Sequence, residues 1–226
     1  MLTFSEENYL KSIFHIANQK AEEPHAGTNE LATHLGLKPA SINNMLKKLK
    51  EKKLIDYEKY GKIALTESGV QMATAIVRKH RLWETFLYEK LGFPWDEVHE
   101  IAEQLEHIQS DKLIERLDRF LSSPKFDPHG DPIPNAAGAF EKTSQKTLAE
   151  IPVSGTCIMV GVKDNSAAFL KHADSLQLYL NQTIRVHAHQ EYDALTIIEV
   201  AGKRYAVGQK FLGQIFVEEI FVEETS

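Results

Sequence analysis

Six residues between positions 80 and 107 have the types and spacing to hold a metal ion. His80 and Glu84 are one helical turn apart, so a helix would aim both side chains at one point. His99 and Glu103 repeat that spacing, and Glu106-His107 adds a further carboxylate and imidazole. Read as one helix, the second run divides into two faces. Val98, Ile101, Leu105 and Ile108 form an apolar face fit for burial, while His99, Glu103, Glu106 and His107 gather on roughly the opposite one. That polar face carries no Lys or Arg. Carboxylates three residues apart repel each other unless a cation lies between them. A mixture of imidazole and carboxylate suits Mn²⁺, Fe²⁺, Co²⁺ or Zn²⁺ better than Ca²⁺ or Mg²⁺. The bland alternative is a solvated helix face with incidental histidines. The repeated pairing and the Glu-His doublet favour a metal.

The elements around these residues follow from periodicity. Ser5 is an expected cap for a first helix with Leu10, Ile13, Phe14 and Ala17 inward. After the break at Ala21–Gly27, Thr28 would cap a short helix from Asn29 to His34, which Gly36 ends. Pro39 suits the first turn of a third helix reaching about Lys52, with Ile42, Met45, Leu46 and Leu49 inward. Two helices joined by a glycine-containing turn make a helix-turn-helix. Two β-prone runs meeting around Lys59–Lys62 then read as a hairpin, the wing of a winged helix. Thr66 opens a long helix that carries His80 and Glu84 to about Leu91, and helices near Asp96–Gln109 and Lys112–Leu121 follow.

Five of the eight prolines fall between Ser122 and Pro152, as expected of a tether or an extended wrap between domains, with a short helix possible at Ser144–Ala149. Beyond it, strand-like runs at Cys157–Val162, Thr183–Ala188, Leu195–Val200, Arg204–Val207 and Ile215–Val217, with one helix near Ser166–Tyr179, suggest a small barrel. The expected fold is α+β and multidomain. A winged helix-turn-helix spans 1–70, an all-α part with the candidate metal ligands 71–135, a linker 136–152 and a small β-barrel 153–226.

Composition sets limits on function. The single cysteine, Cys157, excludes an intramolecular disulfide or a multi-cysteine metal site. No apolar run approaches a membrane span, and MLTFSEENYL lacks the form of a signal peptide, so the cytoplasm is the expected compartment. The net charge of −6 is unevenly spread: residues 1–90 hold 14 Lys/Arg against 11 Asp/Glu, leaving 12 against 21 for the remainder. The N-terminal part is therefore net basic, at +3.

That basic part holds the third helix, whose Lys38, Pro39, Ser41, Asn43, Asn44, Lys47 and Lys48 lie at its start or off its apolar stripe. Small polar groups near the start of such a helix can read base edges, and lysines further along can hold phosphates. A lysine-rich helix is usually just solvated; the helix-turn-helix and hairpin context points instead to double-stranded DNA. Other candidates are weaker. Cys157 reads as a core residue, His187 and His189 as a solvated strand pair, and Asp127-Pro-His129-Gly-Asp131 as a common polar loop that could nevertheless ligate a metal.

The order of parts resembles the iron- and manganese-dependent repressors of the diphtheria toxin repressor type. The resemblance is carried by Arg78-Lys-His80-Arg-Leu-Trp-Glu84, by Val98-His99-Glu-Ile-Ala-Glu103-Gln-Leu-Glu106-His107 and by His129-Gly-Asp-Pro-Ile-Pro134. It implies that 71–135 is an all-α dimerisation and metal-binding domain, that 153–226 is an SH3-like β-barrel, and that each subunit of a homodimer has two metal sites. One would use His80, Glu84, His99 and an oxygen from the barrel, Asp164 or, one register on, Asn165. The other would use Glu103, Glu106, His107 and, from the first helix, Asn8, where the family has methionine or aspartate. Iron-responsive members resemble one another in a cysteine at the position of Glu103, and manganese-responsive ones in a glutamate. A hard carboxylate there favours Mn²⁺, with Fe²⁺ behind it.

The expected function is a metal-dependent homodimeric transcriptional repressor that binds operator DNA to control metal-ion uptake genes. Two rivals remain at this level: a winged-helix regulator answering to an organic ligand or protein partner, and a dinuclear metal enzyme, which would leave the basic winged helix without a purpose.

Overall fold

In the computed structural model, residues 2–18, 20, 24–57, 61–141, 146–190 and 192–220 are described. Their contacts divide the chain into two units: 1–80 with 103–116 and 134–140, and 81–102 with 117–133 and 141 onward.

The first unit begins with α1 (Phe4–Asn18). Its cap is Thr3, two residues before the expected Ser5. The Thr3 hydroxyl accepts from the Glu6 backbone N–H while the Glu6 carboxylate accepts from the Thr3 N–H, a reciprocal capping box. β1 (Ala26–Gly27) leads into α2 (Thr28–Leu35), and here too the cap precedes the expected residue. Gly27 is the N-cap and donates its N–H to Glu30, while Thr28 is already helical. Gly36, at φ 64°, ends α2 in the left-handed conformation that glycine adopts without steric cost.

α3 (Pro39–Glu51) has Lys38 as N-cap and Pro39 in its first turn, as anticipated. Ile42, Leu46 and Leu49 are fully buried with Leu10, Ile13 and Leu31, a shared core that fixes the three helices against one another. β2 (Ile55–Tyr57) and β3 (Lys62–Leu65) pair antiparallel, and β1 pairs with the other edge of β3. The middle of the expected hairpin turn, residues 58–60, lies outside the described residues. α4 (Glu67–Leu91) follows directly, with the Thr66 hydroxyl accepting from the Gly69 N–H.

α4, α5 (Val98–Leu105) and α6 (Asp111–Phe120) each contribute to both units. α5 is shorter than the expected 96–109 helix, so Glu106 and His107 lie in the turn beyond it. The two-faced helix of the sequence reading is corrected accordingly. His99 and Glu100 are exposed, whereas Glu106 and His107 are buried.

The second unit holds an antiparallel sheet of β4 (Thr156–Val162), β5 (Thr183–Gln190), β6 (Leu195–Val200), β7 (Lys203–Gly208) and β8 (Ile215–Glu219), in the order β7-β6-β5-β4-β8. α7 (Ala167–Ser175) and α8 (Gln209–Leu212) complete it. Its core includes Cys157, Met159, Ile184, Val186, Ile198, Ile215 and Val217, the inward positions of alternating strands. Residues of the expected linker are packed at both ends. Phe140 stacks on Phe14 in the first unit, while Leu148 and Ile151 enter the sheet's core. Of the short helix expected at Ser144–Ala149, a single 3₁₀ turn at Leu148–Glu150 is present; residues 142–145 lie outside the described set.

Candidate metal centre

Two clusters of buried ligand-type side chains are present, one in each unit. In the first unit, α1 supplies Glu7, Asn8 and Lys11, α4 supplies His80, and the end of α5 with its following turn supplies Glu103, Glu106 and His107. Glu106 is fully buried; its Oε2 meets His80 Nδ1 at 2.6 Å and Lys11 Nζ at 2.8 Å. Lys11 also pairs with Glu103. The sequence reading had these carboxylates without a lysine. That holds for their own helix and fails for the cluster, because Lys11 arrives from α1.

Burial alone would raise the pKa of Glu106. The His80 hydrogen bond and the Lys11 charge outweigh it and hold the carboxyl below its usual range. His107 Nδ1 sits 2.6 Å from a Glu7 oxygen, and Gln109 donates to the other Glu7 oxygen at 2.6 Å. Glu7 was missed from sequence, since it carries no motif and meets His107 only through tertiary packing. The predicted residue Asn8 is here as well: its Oδ1 is buried with no hydrogen-bond partner among the described residues, as is Glu106 Oε1.

The second cluster joins Glu84 of α4 to Asp127 and His129 of the loop before β4. Their ligand atoms lie within 4.8 Å of one another, and each residue is at most 2% exposed. His129 Nε2 donates to the Trp95 carbonyl at 2.8 Å, since a carbonyl can only accept. In the neutral ring the lone pair is therefore on Nδ1, which faces a Glu84 oxygen at 3.8 Å and an Asp127 oxygen at 3.9 Å. These separations are too long for hydrogen bonds. They suit atoms arranged around a shared ion with bonds of about 2.0–2.2 Å.

Asp127 Oδ1 accepts from the backbone N–H groups of His129 and Asp131, while its Oδ2 has no hydrogen-bond partner among the described residues. Burial, then the charges of Asp131 and Glu84, push the Asp127 carboxyl well above its ordinary range against the pull of Arg81. Two buried carboxyl groups and an imidazole lone pair converging on one point are an electrostatic conflict that a divalent cation would relieve.

The loop is held tightly enough to keep this arrangement. Val162 N–H bonds the His129 carbonyl at 2.9 Å, and a Cβ on Gly130 would lie 2.2 Å from the Val160 carbonyl oxygen. From sequence Asp127 and His129 are a weaker candidate, a common polar loop that could nevertheless ligate a metal. Their pattern was visible, but not their burial beside Glu84.

The remaining predicted ligands are placed as follows. His99 Nδ1 lies 3.2 Å from Glu84 on a half-exposed side chain. Asp164 is partly exposed just before α7, where its Oδ1 accepts from the Ser166 N–H at 2.9 Å; Asn165 is exposed. On the nucleic-acid side, Lys38, Pro39, Ser41, Asn44, Lys47 and Lys48 are all exposed along α3. Asn43 differs, being half-buried and accepting from the Tyr57 hydroxyl at 2.7 Å.

The chain matches the models of three known families. Residues 1–63 match the iron-dependent repressor N-terminal DNA-binding domain, 66–135 the iron-dependent repressor metal-binding and dimerisation domain, and 146–219 the FeoA domain. It is 30% identical to the HTH-type transcriptional regulator MntR of Listeria welshimeri over 65% of this chain and 99% of that one. To the diphtheria toxin repressor of Corynebacterium jeikeium it is 27% identical, over 80% of this chain and 75% of that one. Among solved structures it is similar to a manganese-dependent transcriptional repressor in complex with manganese, with a TM-score of 0.81 and 33% identity over 95% of this chain and 100% of that one. With its DNA-binding, metal-binding and FeoA parts in that order, the chain belongs to the iron-dependent repressor family and is a metal-dependent transcriptional repressor.

Proposed function

We propose that this chain acts as a cytoplasmic homodimer that binds double-stranded operator DNA when loaded with Mn²⁺, Fe²⁺ being the second choice, and so controls metal-uptake genes. The observation that carries this reading is the buried meeting of Glu84, Asp127 and the His129 Nδ1 lone pair, a donor set made of hard oxygens and one imidazole. No thiolate is near it: the Cys157 Sγ is buried in the sheet, where it donates to the Ile184 carbonyl. The similarity to a repressor in complex with manganese supports the same choice of ion.

Two donor sets follow. Glu84, Asp127 and His129 form the first, with His99 and Asp164 as further ligands in the same unit. Asn8, Glu103, Glu106 and His107 form the second, with His80 as a partner of Glu106. The domain limits we assign are 1–70, 71–135, 136–152 and 153–226.

A divalent ion held by these residues would supply positive charge to offset their carboxylates. The chain's own residues do the positioning. Trp95 holds the His129 ring through Nε2, and Glu7 holds His107 through Nδ1, leaving the other ring nitrogen of each for ligation. Asn8 lies on α1, whose opposite face shares a core with α3, so the second set is mechanically connected to the reading helix. In a dimer the two reading helices must match half-sites whole helical turns apart. A coupling of about 1–3 kcal/mol between metal and DNA suffices for a useful switch.

The test is Mn²⁺ binding to the full chain, followed by the loss of the free-ion electron paramagnetic resonance signal. Asp127→Ala and His129→Ala are each expected to weaken binding by roughly tenfold or more. Affinities equal to the parent's would remove the first donor set from the account.

A further inference from the structure

Lys11 is the one feature of the first cluster that a metal site does not need. An ammonium group has three donors and no acceptor, so it cannot ligate a cation. Yet its Nζ lies 2.8 Å from Glu106 Oε2 and pairs with Glu103, the two carboxylates of the second donor set. The pairing is well enclosed: the Lys11 side chain is 16% exposed and that of Glu106 is 0% exposed. Lys11 is also one helical turn from Asn8, whose Oδ1 is buried without a partner, and Glu106 keeps a second buried oxygen, Oε1, unpartnered. A donor set with two orphaned oxygens thus has a tethered cation at its centre.

We propose that Lys11 serves as a built-in counter-ion for Glu103 and Glu106, so that the second donor set takes a divalent ion only when the Lys11 side chain withdraws. The shared oxygens support this. Lys11 already occupies Glu106 Oε2 and pairs with Glu103, while Asn8 brings no charge of its own to the set. An ammonium and a divalent ion cannot both sit against those oxygens, so the two compete for them. The long, flexible lysine stem allows the exchange, since its head can move toward solvent while its carbons stay packed.

Two consequences follow. The second set is held together by Lys11 at low metal, so α1 is tied to the 103–107 turn without an ion. The first occupancy of the chain by Mn²⁺ then belongs to Glu84, Asp127 and His129. The inference rests on the metal-dependent reading above, and the test separates the two.

Mn²⁺ stoichiometry and affinity are measured by calorimetry on the full chain and on Lys11→Met, Asp127→Ala and the double variant. Thermal midpoints are recorded in chelator and in Mn²⁺. The parent is expected to bind one ion tightly and Lys11→Met two. The double variant should keep one, since its second set is open while its first is broken. Lys11→Met should melt below the parent in chelator and gain more than the parent from Mn²⁺, because the ion replaces the lost charge. Lys11→Arg, which keeps the charge, should behave like the parent in stoichiometry. A Lys11→Met protein with the parent's stoichiometry and affinity overturns the proposal, and so does one whose midpoint is equally depressed in chelator and in Mn²⁺. An Asp127→Ala protein that binds Mn²⁺ as the parent does counts against the first donor set alone if Lys11→Met still gains an ion, and overturns the role of Lys11 as well if it does not.

Discussion

Single side chains in this protein are poised by the charges around them. Glu6 is one such case. Its carboxylate accepts from the Thr3 N–H at 2.8 Å and pairs with Lys52 at 2.7 Å, closing the cap of α1 and tying it to the end of α3. Burial works to raise its pKa, but Lys52 and the Thr3 backbone bond prevail and lower it from 4.5. A carboxyl depressed on folding stabilises the native state above its unfolded pKa, and that contribution is lost as pH falls through the lower folded value. We expect Glu6→Gln to lower the melting temperature by roughly 2 °C at neutral pH. The difference from the parent should vanish as pH falls below the carboxylate range. A gap that persists unchanged in acid would show that the side chain acts by packing and not by charge.

At this scale sequence was informative for residue type and blind to tertiary partners. Glu103, Glu106 and His107 were legible as ligand chemistry from their spacing. Lys11 was not, because nothing in a helical count of α1 reveals that its ammonium reaches two carboxylates more than ninety residues away in sequence. Glu7 was hidden for the same reason, and so was the burial of Asp127 and His129 beside Glu84.

Among the elements, α3 is where local pattern and tertiary outcome agree most fully. Pro39 starts it, the Ile42, Leu46 and Leu49 stripe buries it, and its polar side chains other than the half-buried Asn43 stand exposed. The strands of the second unit were legible too, since β-branched residues alternate with polar ones between turn signals. The helix ends were less so. A threonine or glycine one or two residues before the obvious cap is equally competent, and the choice between them falls to a carboxylate three residues later, Glu6 for α1 and Glu30 for α2. α5 stopped short of its apolar period at Leu105, which moved Glu106 and His107 off the helix and into the buried turn.

α3 carries a prediction of its own. Replacing Lys47 and Lys48 by alanine should weaken binding to all duplex sequences alike and flatten its salt dependence by about one unit of slope per lost phosphate contact. Replacing Ser41 or Asn44 should instead relax sequence preference at particular base pairs. Binding isotherms at several salt concentrations distinguish the two, and an unaltered slope in the lysine variant would remove α3 from the phosphate contacts. Asn43 is a poorer probe, because its amide oxygen supports the Tyr57 hydroxyl of β2.

For the molecule as a whole, the uneven charge anticipated the division of labour: a net basic N-terminal part suited to DNA within a chain of net charge −6. No described helix is long and apolar enough to cross a membrane. The residues expected to act together between His80 and His107 divide between two clusters rather than lining one helix face. The central claim is that occupancy of these donor sets favours the DNA-binding state. It is tested most directly by fluorescence anisotropy of a labelled palindromic operator duplex, titrated with the full chain in chelator and again in Mn²⁺. The account predicts binding tightened by roughly 5–150-fold in Mn²⁺, the range of a 1–3 kcal/mol coupling. Equal affinity in the two conditions would contradict it.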